Sequence, residues 1–120
     1  MKRIATMSPI TTHVLELASG RPAKGVPVTL EFRSGKKAWR VLGRGKTDAD
    51  GRLKNLLTSS HRLKAGVYRL HFDLAVYSRG AARGCFFPEA AVVFTVKDTA
   101  RHYHMPLLLS PYGYSTYRGS

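Results

Sequence analysis

The sequence predicts an all-β sandwich or barrel. Two observations carry that reading: apolar residues recur with a period close to two, and turn-forming residues interrupt them about every ten residues. A third bounds it. A chain of 120 residues with 43% hydrophobic content makes one domain with a core that needs neither disulfides nor metals.

Taken in order, Thr11–Leu17 alternates, with His13, Leu15 and Leu17 on one face and Thr12, Val14 and Glu16 on the other. Val26–Arg33 shows the pattern best: Val26, Val28, Leu30 and Phe32 point to a core while Pro27, Thr29, Glu31 and Arg33 point to water. Pro27 lacks a ladder donor, so this strand should lie at a sheet edge or begin there. Further strands are expected at Ala38–Arg44, Leu53–Leu57, Val67–Asp73, Ala91–Lys97, His102–Leu109 and Tyr112–Arg118, which makes eight. Between Asp73 and Arg83 the residues Leu74, Ala75, Tyr77, Ala81 and Ala82 suit a helix, so one short helix is expected there. Turn chemistry marks the breaks at Ser19–Gly25, Ser34-Gly35, Thr47–Gly51 and Ser110-Pro111. No repeat or linker divides the chain, so residues 1–120 read as a single domain with residues 1–7 as a flexible lead-in.

The charge is lopsided. Lys and Arg number 20 against 7 Asp and Glu, a formal net charge of +13. Such a balance suggests an anionic partner, nucleic acid first. Half of the cations lie between Arg33 and Lys64, but that stretch holds one aromatic, Trp39, and base-stacking side chains are not interleaved with its charges. Specific nucleic-acid binding is therefore not expected. No apolar run approaches the ~20 residues of a membrane helix, and the basic start lacks the apolar stretch of a signal peptide. A cytoplasmic protein without membrane contact is the expectation.

Several chemical motifs fail on their spacing. His102 and His104 share a strand face as a His-x-His pair, but no cysteine pair or carboxylate cluster completes a zinc site. Asp48-Ala-Asp-Gly51 opens like a calcium loop and lacks the glutamate that would close it. Gly43-Arg-Gly45-Lys46 has neither Walker spacing nor a following helix and reads as a basic hairpin end. Cys85 precedes Phe86-Phe87-Pro88 with no helix to lower its pKa, so it reads as a small hydrophobe. His13 by itself is a partly buried ring between leucines, and the terminal tyrosines by themselves are edge-strand packing.

Four stretches change that balance when taken together: Thr11-Thr-His-Val-Leu-Glu16, Gly20-Arg-Pro-Ala23, Thr47-Asp-Ala-Asp-Gly-Arg52, and the run from His102-Tyr-His through Ser110-Pro-Tyr-Gly-Tyr-Ser-Thr-Tyr-Arg-Gly-Ser120. They resemble the enzyme branch of the transthyretin family, the 5-hydroxyisourate hydrolases, over residues 8–120. The terminal Tyr-Arg-Gly-Ser is the most specific part, because the hormone-carrying branch lacks it. The resemblance implies a transthyretin-like eight-stranded β-sandwich with one short helix, assembled as a homotetramer whose two dimers enclose a channel. It carries function to His13, Arg52, His104, Tyr117 and Ser120, and implies hydrolytic opening of 5-hydroxyisourate in urate degradation. Departures from the family pattern fall at Glu16, where Asp is usual, at Asp48, often Asn, and at Met105, often Val.

The implied reaction needs a base, an acid and an anchor for a polar substrate. His104 is expected to activate water with His13 as acid or orienting partner, or the two roles are exchanged. Arg52 is expected to hold the substrate oxygens with its planar fork and to keep a neighbouring histidine neutral. Tyr117 donates to a ring carbonyl, and Ser120 positions water or closes the pocket. The scheme requires no metal or organic cofactor. The rival expectation is a carrier that binds a small ligand in the same channel without turnover.

Overall fold

Alternation decides which side of each strand is dry. In the computed structural model, which describes residues 8–79 and 84–119, Val28, Leu30 and Phe32 are buried while Pro27, Thr29, Glu31 and Arg33 between them are half-buried. The described residues form β1 (Ile10–Glu16), β2 (Arg21–Pro22), β3 (Pro27–Arg33), β4 (Arg40–Lys46), β5 (Arg52–Leu53), β6 (Gly66–Asp73), α1 (Leu74–Arg79), β7 (Glu89–Val96), β8 (Tyr103–Ser110) and β9 (Gly113–Thr116). One sheet has the order β4-β3-β6-β7; the other runs β2-β1-β8-β9, with β5 also pairing with β1. Side chains from both sheets make one core, including Leu30, Tyr68, Leu70 and Phe72 from the first and Ile10, Val14, Tyr103 and Leu107 from the second.

Where the sequence and the fold differ, the reasons are local. Nine strands form among the described residues instead of eight, because the two-residue β2 pairs with the end of β1 at Leu15 and Glu16. The expected Leu53–Leu57 strand shrinks to β5. Leu56 and Leu57 are buried from a loop instead, and that loop crosses β4 at Gly43, where a Cβ would stand 2.0 Å from the Leu56 carbonyl oxygen. The Gly43–Lys46 stretch is therefore strand interior and not a hairpin end. Expected at Ala38–Arg44, β4 runs Arg40–Lys46, and a bulge interrupts its pairing between Leu30 and Glu31 of β3. Pro27 does begin its strand, but β3 is an inner strand between β4 and β6. The helix occupies Leu74–Arg79, with the Asp73 carboxylate accepting from the Val76 N–H at 3.0 Å as its N-cap. The rest of the expected helix, residues 80–83, lies outside the described residues, as does the 1–7 lead-in.

The decisive pairing is parallel. β1 and β8, far apart in sequence, lie side by side in parallel with Thr11 opposite His104, His13 opposite Pro106 and Leu15 opposite Leu108. Paired residues share a face, so Thr12, Val14, Met105 and Leu107 point into the core. The face with His13, Leu15 and Leu17, which its leucines make look like the core side, points outward, and Leu17 is 54% exposed.

Candidate active site

Three expected residues meet on that outward face. β5 pairs with β1 so that Arg52 lies directly opposite His13, and β8 brings His104 beside Thr11 two residues earlier on β1. Neighbouring strands are ~4.8 Å apart, so one short cross-section of the sheet carries two imidazoles and a guanidinium.

Each is held by its own local chemistry. Arg52 closes a tight loop in which the Asp48 carboxylate accepts from the backbone N–H groups of Asp50 at 2.9 Å and Arg52 at 3.0 Å. Those bonds hold the Asp48 carboxyl below the usual carboxylate range. Gly51 completes the turn at φ +74°, and its carbonyl accepts from the Val14 N–H at 2.7 Å, which locks the loop onto β1. His13 Nε2 lies 2.8 Å from the Asp50 carbonyl oxygen. A carbonyl only accepts, so His13 carries its proton on Nε2 and, when neutral, its lone pair on Nδ1.

His104 is half-buried, and its Nδ1 lies 2.8 Å from the hydroxyl of Thr11, which is itself 3.1 Å from Nε2 of His102. The His104 pKa is pushed below the ordinary 6.5, first by burial and then by the like charges of Arg52, His102 and His13. A neutral imidazole with an available lone pair at pH 7 follows.

The chain beyond β9 folds back over this histidine. Pro106 offers no N–H, and its carbonyl accepts from the Thr116 hydroxyl at 2.7 Å where β9 ends. Ladder pairing lapses at Tyr117 and Arg118, and Gly119 resumes it in the same register opposite His104, donating its N–H to the His104 carbonyl at 2.7 Å. A Cβ on Gly119 would stand 2.8 Å from the His104 ring, so only glycine passes here without displacing it. Arg118 stacks 4.6 Å over the Tyr103 ring and pins this stretch to β8. Tyr117 remains 56% exposed. Ser120 lies outside the described residues. The sequence reading missed Thr11: the His-x-His spacing put both histidines on one face, but their shared partner sits about ninety residues earlier on a parallel strand.

A model of the HIUase/Transthyretin family matches residues 10–119. The chain belongs to this family. It is 44% identical to the 5-hydroxyisourate hydrolase of Mus musculus, covering 94% of this chain and 96% of that protein. It also matches the longer uric acid degradation bifunctional protein of Arabidopsis thaliana, of which it spans 37%. Two solved structures define the fold as transthyretin-like. Klebsiella pneumoniae 5-hydroxyisourate hydrolase superposes with a TM-score of 0.79 at 33% identity, covering 92% of this chain and 97% of that one. Sparus aurata transthyretin gives 0.83 at 33% identity, covering 92% and 96%. The family fold thus fits both neighbours about equally well, and the side chains on the outward face have to separate their activities.

Proposed function

We propose that the protein hydrolyses 5-hydroxyisourate to 2-oxo-4-hydroxy-4-carboxy-5-ureidoimidazoline, a step of urate degradation. One observation carries the proposal: His13, Arg52 and His104 converge on one sheet face. Relatives matched over nearly the whole chain, named 5-hydroxyisourate hydrolase, support it. His104, kept neutral, takes a proton from water as the oxygen attacks a ring carbonyl. The ring C–N bond then breaks, and the leaving nitrogen receives a proton from the histidine pair. General acid–base help of this kind is typically worth ~10²–10⁴ in rate. Arg52 grips the substrate oxygens, Tyr117 donates to a ring carbonyl, and Ser120 positions water or closes the pocket.

The site is open on a single chain, and transition-state electrostatics work best with water excluded. A homotetramer, two dimers around a channel lined by these outward faces, closes it. The exposed Leu17 and half-buried Leu15 and Leu108 beside His13 support that packing. No helix among the described residues is long and apolar enough to cross a membrane, and a cytoplasmic setting suits a substrate of purine metabolism.

The test is direct. Freshly generated 5-hydroxyisourate loses its ultraviolet absorbance faster with the protein than without it, and His13→Ala, Arg52→Ala and His104→Ala each cut turnover strongly in a folded protein. Equal decay with and without wild-type protein overturns the proposal, and saturable ligand binding without turnover favours the carrier.

A further inference from the structure

The Thr11 hydroxyl lies between two imidazoles, 2.8 Å from Nδ1 of His104 and 3.1 Å from Nε2 of His102. The two rings are nearly parallel, inclined by 16° with centroids 6.5 Å apart. A hydroxyl has one proton, so in donating to one ring it must accept from the other. Only two neutral arrangements exist. In one, Thr11 donates to His102 and accepts from Nδ1–H of His104, which leaves the lone pair of His104 on Nε2. In the other, both rings have the opposite tautomer and His104 cannot act as a base at Nε2. Thr11 is 1% exposed, so bulk water does not compete for its hydroxyl.

The two rings face different surroundings. His104 is surrounded by like charge from His13 on its own sheet face, Arg52 on β5 and His102 just before β8. His102 lines an open cleft of about 540 Å³ with Ser59, Ser60, His61, Arg62 and Arg101, and Asp98 offsets Arg101 there at 3.0 Å. That volume holds many waters where one needs only ~10–15 Å³, so a positive charge on His102 is hydrated.

Building on the hydrolase reading, we infer that Thr11 and His102 are positioning residues for His104: the hydroxyl fixes the tautomer with Nε2 as base and relays charge to His102. When Nε2 of His104 takes the proton of the attacking water, its Nδ1 proton moves to Thr11 Oγ1 and the Oγ1 proton moves to Nε2 of His102. One positive charge thereby leaves the buried ring for the hydrated one, with no atom gained or lost. The relay runs back as Nε2 of His104 gives its proton to the leaving nitrogen.

Thr11→Val keeps the shape and deletes the hydroxyl. It is expected to lower kcat by ~10–100-fold, less than the ~10²–10⁴ of a whole general acid–base contribution because His104 itself remains, with little change in KM. Its acid limb moves to lower pH, because the imidazolium loses an acceptor at Nδ1. Thr11→Ser restores most of the rate, and His102→Ala loses rate that added imidazole partly returns. Independently of any substrate, ¹⁵N NMR of the ring nitrogens should show Nδ1–H His104 in the wild type and a tautomer mixture in Thr11→Val. Unchanged kcat and unchanged tautomer in folded Thr11→Val, or Thr11→Ser as impaired as Thr11→Val, overturns the relay. An inactive wild type would overturn the hydrolase reading and leave the NMR outcome to decide the tautomer coupling by itself.

Discussion

At His104 two demands oppose each other: a general base must be neutral before reaction and must accept a proton during it. Burial supplies the first demand and Arg52 reinforces it, since both push the His104 pKa below 6.5. Neutralising the guanidinium in Arg52→Gln removes a like charge, so the imidazolium is less disfavoured and the pKa rises. The acid limb of the pH–rate profile then moves to higher pH, while burial, His13 and His102 still hold it below 6.5. Overall kcat/KM falls as well, because the amide of Gln cannot reproduce a charged fork on substrate oxygens. An acid limb that stays in place or moves down would show that Arg52 does not act on His104. The same residue illustrates what sequence alone could show. Arg52 was legible through the Asp-Gly-Arg turn and the family resemblance, but its position opposite His13 comes from the antiparallel register of β5 on β1, which leaves no mark in the local sequence.

At the scale of elements, the site hangs on loops docking onto β1. The 48–52 turn is the clearest case. Gly51 has φ +74°, and a Cβ there would lie 2.4 Å from the Val14 carbonyl oxygen, an atom already accepting from Ala23 N–H at 2.9 Å. Gly51→Ala therefore meets both a left-handed backbone and a collision with an inner strand, at a cost of about 2 kcal/mol or more. For a domain of this size the melting temperature falls by on the order of 10 °C. Turnover falls further than stability explains, because Arg52 and the Asp50 carbonyl that holds His13 move with the turn. A melting temperature within about 2 °C of wild type by scanning calorimetry would contradict this, since so small a change is well under 1 kcal/mol here. Most elements were legible, because β3, β6 and β7 bury alternate residues as their sequences indicate, and β8 does so apart from Pro106. The failures share a cause: pairing partners across long sequence separations leave no local mark. The inward turn of Val14 and the outward turn of Leu15 on β1 are set by the parallel neighbour β8 and not by their own hydropathy.

For the whole molecule, two groups stand out among the 20 cations behind the +13 charge. On the four-stranded sheet Arg33 and Arg69 stack 4.6 and 4.3 Å over Trp39, and Arg69 forks onto Glu31 at 2.7 and 3.0 Å, holding that carboxyl below its usual range. These cations are occupied with packing. On the other side, Arg52 lies in the candidate site, and Arg62 and Arg101 line the cleft that reaches His102. In the proposed tetramer this second group adds to the positive potential around the candidate site, and focused fields can raise association rates by ~10-fold or more. An anionic substrate should feel it. Raising salt from about 20 mM to about 500 mM shrinks the screening length from roughly 20 Å to roughly 4 Å, so kcat/KM is expected to fall several-fold while kcat stays level. The slope should flatten in Arg62→Gln, at the cleft, and persist in a Lys36→Gln, Lys37→Gln double variant, whose lost charges lie in the exposed turn between β3 and β4. Stopped-flow measurement of kcat/KM against ionic strength separates the cleft from the exposed turn: equal slopes in all three proteins would make the charge a matter of solubility alone, and a slope lost only with Arg62 would locate the steering at the cleft.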